Sequence, residues 1–173
     1  QKSEERDLKN GNGTWTTYYE NGQKREERNF KVGKLDGEMI SYYNNGQIMI
    51  EGNYINGNKD GEMTYYYENG QIEKDENYIN GNKVGIWTFY NDNGIKDGKW
   101  TYSNDDGSKD GKWTWYYLNG EIRKERNLID GKRDGKWTTY YENGPIKGEG
   151  NYIDGKLDGK MTYYYENGKL REE

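Results

Sequence analysis

The chain has 173 residues, a net charge of −5, no Cys and no His, with 29% hydrophobic and 33% charged residues. The missing residue types exclude a disulfide framework, His-ligated metals and nucleophile pairs of the Ser-His or Cys-His kind. A mean hydropathy of −1.47 suits a disordered chain, but 16% aromatic residues, 25 Gly and strict periodicity argue for a thin folded structure.

The composition also bears on partners and compartment. No apolar run approaches the ~20 residues that span a bilayer. Acidic and basic residues alternate without a basic stripe, which disfavours nucleic acid and ranks contact with membrane lipid low. No signal peptide is visible, and the lack of Cys fits either a reducing cytoplasm or a bacterial export route.

A repeat organises the whole chain. The Gly residues that start successive units are 24 residues apart at Gly13, Gly37, Gly61 and Gly85, and again at Gly111, Gly135 and Gly159. A period in the twenties is typical of an array in which each unit buries surface against its neighbours. We therefore predict one repeat array over residues 1–173, with 24-residue units from 13, 37, 61, 111, 135 and 159.

Each full unit predicts two β-strands, called A and B. Strand A, such as 15–19, runs into Asn21-Gly22, and strand B, such as 48–55, runs into a Gly-rich turn at 57–60. β-Branched and aromatic residues are frequent in both, and no 3.6-residue apolar period appears. We predict a two-residue loop at Asn-Gly and a four-residue loop at the second turn.

These loop lengths predict the cross-strand pairs of a unit. The predicted pairs are Thr64 with Asp75, Tyr67 with Ile72, Tyr54 with Met63, and Glu51 with Tyr66. One face then carries the Trp or Met of strand A, its last Tyr, and the Ile and Tyr of strand B. The other face carries Thr, the middle Tyr and an acidic residue.

Two short units of 13 residues, at 85–97 and 98–110, interrupt the 24-residue step. Each lacks a B strand, and two such losses restore the strand direction. The strand near Lys99 should therefore run antiparallel between the strands at Ile86 and Lys112. The segments 4–8 and 169–171 resemble cut B strands. The predicted fold is all-β: a single-layer, twisted antiparallel sheet of tandem β-hairpins with about thirteen strands.

The unit from Gly135 to Gly144, followed by 151–156, resembles the bacterial variant of the MORN repeat, which also occurs in the YwqK-family antitoxins. The resemblance covers the whole chain. It implies a single-layer sheet of stacked hairpins used as a scaffold for protein contacts and, in some eukaryotic relatives, proposed to touch membrane lipids. The stretch from Gly111 to Gly120 also resembles bacterial cell-wall-binding repeats, which lack the B strand and rank second.

Periodic carboxylates are the remaining candidates for chemistry. One predicted row comprises Glu27, Glu51, Asp75, Glu125 and Glu149. Such a row could hold cations or act as paired acids on a glycoside, but hydrogen bonds from Thr and the middle Tyr make structural ties the favoured interpretation. The loops 91–94 and 104–107 suggest Ca²⁺ by composition, yet Asn, Asp and Gly are also what tight turns need. We expect no catalytic residue, no metal and no cofactor.

Departures from the repeat are better places to look for function. Four successive A strands carry an aromatic residue where others have Thr or Ser, at Tyr65, Phe89, Tyr102 and Trp115. With Trp87, Trp100 and Trp113 they form a candidate aromatic patch for a protein or a sugar. In the same stretch the last Tyr of strand A becomes Asn91 and Asn104. The favoured interpretation is that the extra rings fill space left by the missing B strands.

The expected function is a non-catalytic repeat scaffold of a bacterium that binds another protein, exported or associated with the cell surface or periplasm. The alternatives are a carbohydrate or cell-wall binding module that uses its aromatic faces and an intracellular, cytoplasmic antitoxin-like protein. Self-association through the sheet edges or faces is a further expectation.

Overall fold

All regular structure in the described part of the chain is β. The structure is a computed structural model, which describes residues 3–102 and 110–172. Two compact units can be recognised. Unit 1 comprises the described residues of Gln1–Lys83 with Asp92–Gly94, and unit 2 comprises those of Val84–Asn91 with Ile95–Glu173.

Unit 1 contains eight strands, each paired antiparallel with the next along the chain. They are β1 (Glu4–Lys9), β2 (Asn12–Tyr18), β3 (Lys24–Lys31), β4 (Lys34–Tyr42), β5 (Ile48–Ile55), β6 (Asn58–Tyr66), β7 (Ile72–Ile79) and β8 (Asn82–Lys83). Every connection between neighbours is a tight turn, so the unit is a series of hairpins.

Unit 2 also contains eight strands with antiparallel neighbours. They are β9 (Gly85–Tyr90), β10 (Lys96–Tyr102), β11 (Gly111–Tyr116), β12 (Ile122–Ile129), β13 (Lys132–Tyr140), β14 (Ile146–Ile153), β15 (Lys156–Tyr164) and β16 (Leu170–Glu172). The prediction of an all-β fold of antiparallel hairpins is confirmed within each unit. The described residues form sixteen strands instead of about thirteen, because both terminal segments and β8 also pair.

The strand direction predicted for the short units is confirmed. β10 pairs antiparallel with β9 on one side and with β11 on the other. Trp100 of β10 lies opposite Trp87 of β9 and opposite Trp113 of β11. An A-type strand thus takes the place between two A strands that a B strand takes elsewhere, and three Trp residues become cross-strand neighbours.

The prediction of a two-residue loop at the Asn-Gly after strand A is wrong. Between β6 and β7 the amide of Tyr67 donates to the carbonyl of Gln71, and Gly70 donates back to Tyr67. Only Gly70 of the loop has a positive φ, of 84°, as in a three-residue loop that ends in a left-handed Gly. Asn69 is used for its side chain, because its Oδ1 accepts from the Gln71 amide at 3.0 Å.

The four-residue loop predicted after strand B is also wrong, since the two-residue loop lies here. Asn56 and Gly57 have φ values of 52° and 90°, and the flanking residues Ile55 and Asn58 are paired. Two positive φ values define the type I′ turn, whose twist matches that of the strands. Asn, Asp or Val precedes Gly in the equivalent turns.

The corrected turns change three of the four predicted cross-strand pairs. Thr64 lies opposite Asp75 as predicted. The other three pairs are wrong: the structure pairs Tyr66 with Ile72, Gly52 with Met63, and Glu51 with Thr64. A bulge near the end of each A strand accounts for the shift at Tyr66.

Side chains at the ends of the strands connect each repeat to the next. The last Tyr of an A strand donates its hydroxyl to the carbonyl of the middle Tyr 23 residues later. These bonds are Tyr19 to Tyr42, Tyr43 to Tyr66, Tyr117 to Tyr140 and Tyr141 to Tyr164, at 2.6–2.8 Å. At the other end, a carboxylate such as Asp60 accepts from the type I′ turn amide of Asn80. The repeat therefore persists because successive units satisfy each other's polar groups.

The strands present two distinct faces. The aromatic face carries the Trp or Met of each A strand, and the carboxylate face carries Thr, the middle Tyr and the acidic row. Buried hydrophobic side chains lie on the aromatic face: Met63 and Tyr78 in unit 1, and Trp87, Tyr102, Trp113 and Leu128 in unit 2. With so few buried side chains, the face must be covered by long polar side chains and ring edges.

Candidate functional site on the aromatic face of unit 2

Six of the seven residues of the predicted aromatic patch lie in unit 2, on β9, β10 and β11. Their rings are in direct contact. The centroid distances are 3.8 Å for Phe89–Trp100, 4.8 Å for Trp87–Tyr102, 4.9 Å for Trp100–Trp113 and 5.7 Å for Trp113–Trp115. All four pairs are tilted, an arrangement that aromatic rings favour over face-to-face stacking.

Burial divides this cluster into two groups. Trp87, Tyr102 and Trp113 are only 3%, 5% and 8% exposed, so they pack the interior of the face. Phe89, Trp100 and Trp115 are half-buried and keep part of their surface exposed to solvent. Replacing Tyr102 would therefore damage packing, and Trp115 is the better residue for testing binding.

Tyr65, the seventh residue of the predicted patch, belongs to unit 1. Lys59 Nζ donates to its hydroxyl at 2.7 Å, and Lys74 Nζ lies 4.0 Å from its ring centroid. Burial, and then the nearby carboxylate of Glu76, raises the pKa of Tyr65. Its hydroxyl and ring are thus engaged within unit 1. Asn104, used in the same prediction, lies outside the described residues.

Two cations of β12 lie against the Trp rings of unit 2. The Arg126 guanidinium carbon is 4.8 Å from the Trp113 ring and 4.9 Å from the Trp115 ring. Lys124 Nζ is 5.2 Å from Trp115 and 5.9 Å from Trp137. At such distances the ring quadrupoles attract the positive charges.

The same two cations have no carboxylate partner among residues 3–102 and 110–172. Both side chains are half-buried, and the buried Arg126 Nε has no hydrogen-bond acceptor in this part of the chain. Burial, and then the positive charges of Arg126, Arg133 and Arg123, lowers the pKa of Lys124. The site therefore holds positive charge that the described residues leave uncompensated.

The equivalent cations of unit 1 are paired. Arg28 Nη2 lies 2.6 Å from Glu26, and Lys74 Nζ lies 2.7 Å from Glu76, a carboxylate that is almost fully buried. At these two positions unit 2 has Lys124 and Arg126. Sequence reasoning missed this difference, although a comparison of the B strands alone shows that a cation replaces the acid.

A cleft of about 440 Å³ adjoins these cations. Its lining residues are Tyr117, Arg123, Lys124, Trp137, Thr139, Tyr140, Lys147 and Tyr163. Among residues 3–102 and 110–172 no carboxylate lines it, and its three charged residues there are all cations. The Tyr163 ring lies over the backbone of Gly148, where an added Cβ would come within 2.9 Å of Cδ1. Glycine at 148 thus lets the aromatic wall of the cleft lie close to the sheet.

A family model decides what kind of repeat this is. The model for the MORN repeat variant matches seven segments: 11–31, 35–56, 59–80, 83–104, 109–130, 133–154 and 157–173. The chain belongs to the MORN repeat variant family. The expected resemblance to the MORN repeat variant is thereby confirmed, and the segment 83–104 spans parts of both predicted 13-residue units. Comparison with curated proteins gives no match. MORN repeats are commonly non-catalytic repeat modules, which is compatible with a scaffold role.

On the carboxylate face of the MORN repeats, the acidic row is hydrogen-bonded. Tyr hydroxyls donate to it from Tyr42 to Glu27, from Tyr66 to Glu51, from Tyr140 to Glu125 and from Tyr164 to Glu149. The predicted ties to the middle Tyr are confirmed for these four carboxylates. Their Cα neighbours are Thr or Ile on both sides, however, so each Tyr reaches its carboxylate diagonally.

The pKa shifts on this face follow from the same bonds. Burial, and then the hydrogen bond to Glu27, raises the pKa of Tyr42 to about 12. Burial opposes ionisation of Glu27, but the hydrogen bonds from Lys24 and Tyr42 outweigh it and lower the pKa of this carboxyl. The hydrogen bonds from Lys136 and Tyr164 lower the pKa of Glu149. A protonated general acid needs the opposite shift, so these two carboxylates suit structural ties.

The loop 91–94, suggested for Ca²⁺ by its composition, forms a turn. Among the described residues, no group of three or more Asp or Glu is arranged to hold a metal ion. Asn91 Oδ1 accepts from the Ile95 amide at 3.0 Å, as a turn requires. The loop 104–107 lies outside the described residues. No helix in the described part of the MORN array could span a membrane.

Proposed function

We propose that this MORN array is a non-catalytic scaffold that binds another protein through the aromatic face of unit 2. The observation that carries the proposal is the half-buried Trp115 ring, which lies between the Trp113 ring and the side chains of Lys124 and Arg126. Trp and Arg are enriched among the interface residues that dominate binding energy.

The remaining chemistry of the chain supports a binding role over a catalytic one. The sequence holds no His or Cys, and four carboxylates of the periodic row accept hydrogen bonds from Tyr. Nearby, the buried Trp87, Tyr102 and Trp113 hold β9, β10 and β11 in register beneath the more exposed rings. A preorganised surface loses less conformational entropy when it binds a partner.

A peptide-display selection tests the proposal. The full chain is immobilised, a random peptide library is selected on it, and enriched peptides are titrated against the wild type, Trp115→Ala and Trp15→Ala. Trp15 is the matched control, because it lies on the aromatic face of unit 1 between Arg6 and Arg28. We expect Trp115→Ala to weaken binding about tenfold or more, and Trp15→Ala to leave it unchanged.

Thermal unfolding of each variant shows that the fold is retained. Equal affinities for the two variants would contradict the proposal, as would a library that yields no binder while a glycan array does. The expected bacterial source, export and antitoxin-like alternative remain predictions.

A further inference from the structure

The unpaired cations of unit 2 define the chemistry of the partner. Resting on the proposed protein-binding function, we infer that the cleft beside Trp115 and Trp137 binds the side-chain carboxylates of an acidic peptide segment. The cations that would meet these carboxylates are Arg123, Lys124 and Lys147 on the lining, with Arg126 next to them.

Lys124 and Arg126 are half-buried, and no carboxylate among the described residues pairs with them. A half-buried cation is partly removed from water, and it gains stability when an anion replaces the lost hydration. In unit 1 the chain supplies that anion itself, as Glu26 for Arg28 and Glu76 for Lys74. In unit 2 the same positions hold Lys124 and Arg126 on β12 and glycine on β14, so the described residues supply no such anion and an anionic ligand can take its place.

The shape of the cleft also suits a short peptide segment. Its aromatic walls, Trp137 and Tyr163, lie beside the cations, so a bound group is partly shielded from solvent. Charge–charge hydrogen bonds strengthen as water is excluded. A volume of about 440 Å³ exceeds one carboxylate and accommodates a short peptide segment with neighbouring apolar side chains.

The charge balance of unit 2 favours a peptide over an anionic membrane. Attraction to lipid headgroups needs an extended basic surface, and unit 2 has as many acidic as basic residues, 15 of each. Within this balanced unit, Arg123, Lys124 and Lys147 line the cleft, and Lys124 and Arg126 lie against Trp rings. Local positive charge between aromatic walls fits single carboxylates presented by a chain.

The test uses defined probes on the full chain. The probes are a short peptide of alternating Glu and Tyr, the same peptide with Gln for Glu, sodium acetate, and vesicles of phosphatidylserine and phosphatidylcholine. Binding is followed by Trp fluorescence and by isothermal titration. We expect the Glu peptide to bind about tenfold or more tightly than the Gln peptide, with an affinity that falls as salt rises.

The repeat supplies the decisive variant. Arg126→Glu recreates next to Lys124 the ion pair that Glu76 makes with Lys74, and Arg123→Gln removes a cation from the exposed rim. Each substitution should weaken the binding affinity for the Glu peptide about tenfold. Lys112→Gln is the matched control, because it removes an exposed cation of the same unit that pairs with Glu125 on the carboxylate face. It should leave binding unchanged.

Several results would overturn the inference. They are equal binding of the Glu and Gln peptides, unchanged binding by Arg126→Glu, acetate binding as tightly as the peptide, binding to vesicles alone, and self-association of the chain that competes with the peptide. If Trp115→Ala abolishes binding of selected peptides while Arg126→Glu has no effect, the aromatic site stands and the acidic partner does not. If neither variant has an effect, both proposals fail.

Discussion

Units 1 and 2 use the same hairpins but distribute their charges differently between the two faces. On the aromatic face, Arg28 and Lys74 of unit 1 are paired with carboxylates, whereas Lys124 and Arg126 of unit 2 are not paired among the described residues. On the carboxylate face, Glu27 of unit 1 is paired with Lys24 of its own strand, whereas Lys112 and Lys136 of unit 2 pair with Glu125 and Glu149 from the neighbouring A strands. Glu62 and Glu38 occupy the equivalent positions in unit 1.

The net charges follow from the same few positions. Unit 1 has 16 acidic and 11 basic residues, while unit 2 has 15 of each, so the whole acidic excess lies in unit 1. Neither pattern disturbs the strand pairing, since the affected side chains point away from the sheet. A repeat protein can therefore change what its faces attract by substituting single periodic residues, without altering its backbone.

The largest effect should come from breaking the buried pair of unit 1. Glu76→Gln removes the charge that Lys74 Nζ and the Tyr78 hydroxyl contact at 2.7 and 2.8 Å. We expect a loss of about 3 kcal/mol in the free energy of unfolding, because Lys74 is left uncompensated among rings. Urea denaturation followed by circular dichroism measures it.

Glu26→Gln is the control for that experiment. Its partner Arg28 is more exposed than Lys74, with a side-chain exposure of 38% against 26%. The loss should be about 1 kcal/mol or less. Equal losses for the two variants would mean that burial does not distinguish the pairs.

Arg126→Glu should move unit 2 towards the unit 1 pattern. The new carboxylate relieves repulsion among Lys124, Arg126 and Arg133 and pairs with Lys124, so we expect a gain of about 1 kcal/mol in the free energy of unfolding. Trp fluorescence during urea denaturation reports it, because five of the six Trp residues lie in unit 2. Destabilisation would show that contact of Arg126 with the Trp rings outweighs the repulsion.

The type I′ turns of the two units differ at their first residue. Val32 of unit 1 has a φ of 49° in a type I′ turn where unit 2 has Asp130 and Asp154. A β-branched residue is strained in the left-handed region, whereas Asn tolerates it. Val32→Asn should stabilise the chain by about 1 kcal/mol in thermal unfolding, and Asp130→Asn, as the control, should change little. A loss of stability in Val32→Asn would contradict the strain.

The smallest expected change in the free energy of unfolding occurs at alkaline pH. The pKa of Tyr42 and that of Tyr66 are raised from 10.0 to about 12 by burial first and then by bonds to Glu27 and Glu51. A raised pKa favours the protonated, folded form, so this contribution is fully present below pH 10 and is lost as pH rises from 10 to 12. Tyr42→Phe should flatten the fall in stability over this window. An unchanged slope would show that Tyr42 does not contribute to it.

The sequence was sufficient to predict the fold but not its turns. Spacing of Gly and alternation of side chains predicted the hairpins, the direction of β10 and the pairing of Thr64 with Asp75. The dipeptide Asn-Gly, however, occurs in both turn types, at Asn69-Gly70 and at Asn56-Gly57. The two turns differ in their flanking residues, since Tyr67 bonds to Gln71 across three residues, whereas Ile55 pairs with Asn58 across two. The dipeptide alone does not show which of the two forms.

The candidate site was also predicted only in part. Departures from the repeat indicated the aromatic residues of β9, β10 and β11, but not which of them are buried. Burial depends on Trp100 lying between Trp87 and Trp113, a consequence of exact register. The aromatic departures lie on A strands and do not point to the cations of β12, and an unpaired charge is recognised only when its neighbours are known.

Binding of an acidic peptide beside Trp115 and Trp137 can be measured by nuclear magnetic resonance of the six Trp indole N–H groups during titration with the peptide. Trp15 of unit 1 lies near Arg6 and Arg28, which pair with Glu4 and Glu26, so it is an internal control. We expect saturable shifts of the Trp115 and Trp137 signals and no shift of the Trp15 signal. Equal shifts of Trp15 and Trp115, or no shift of either, would contradict this expectation.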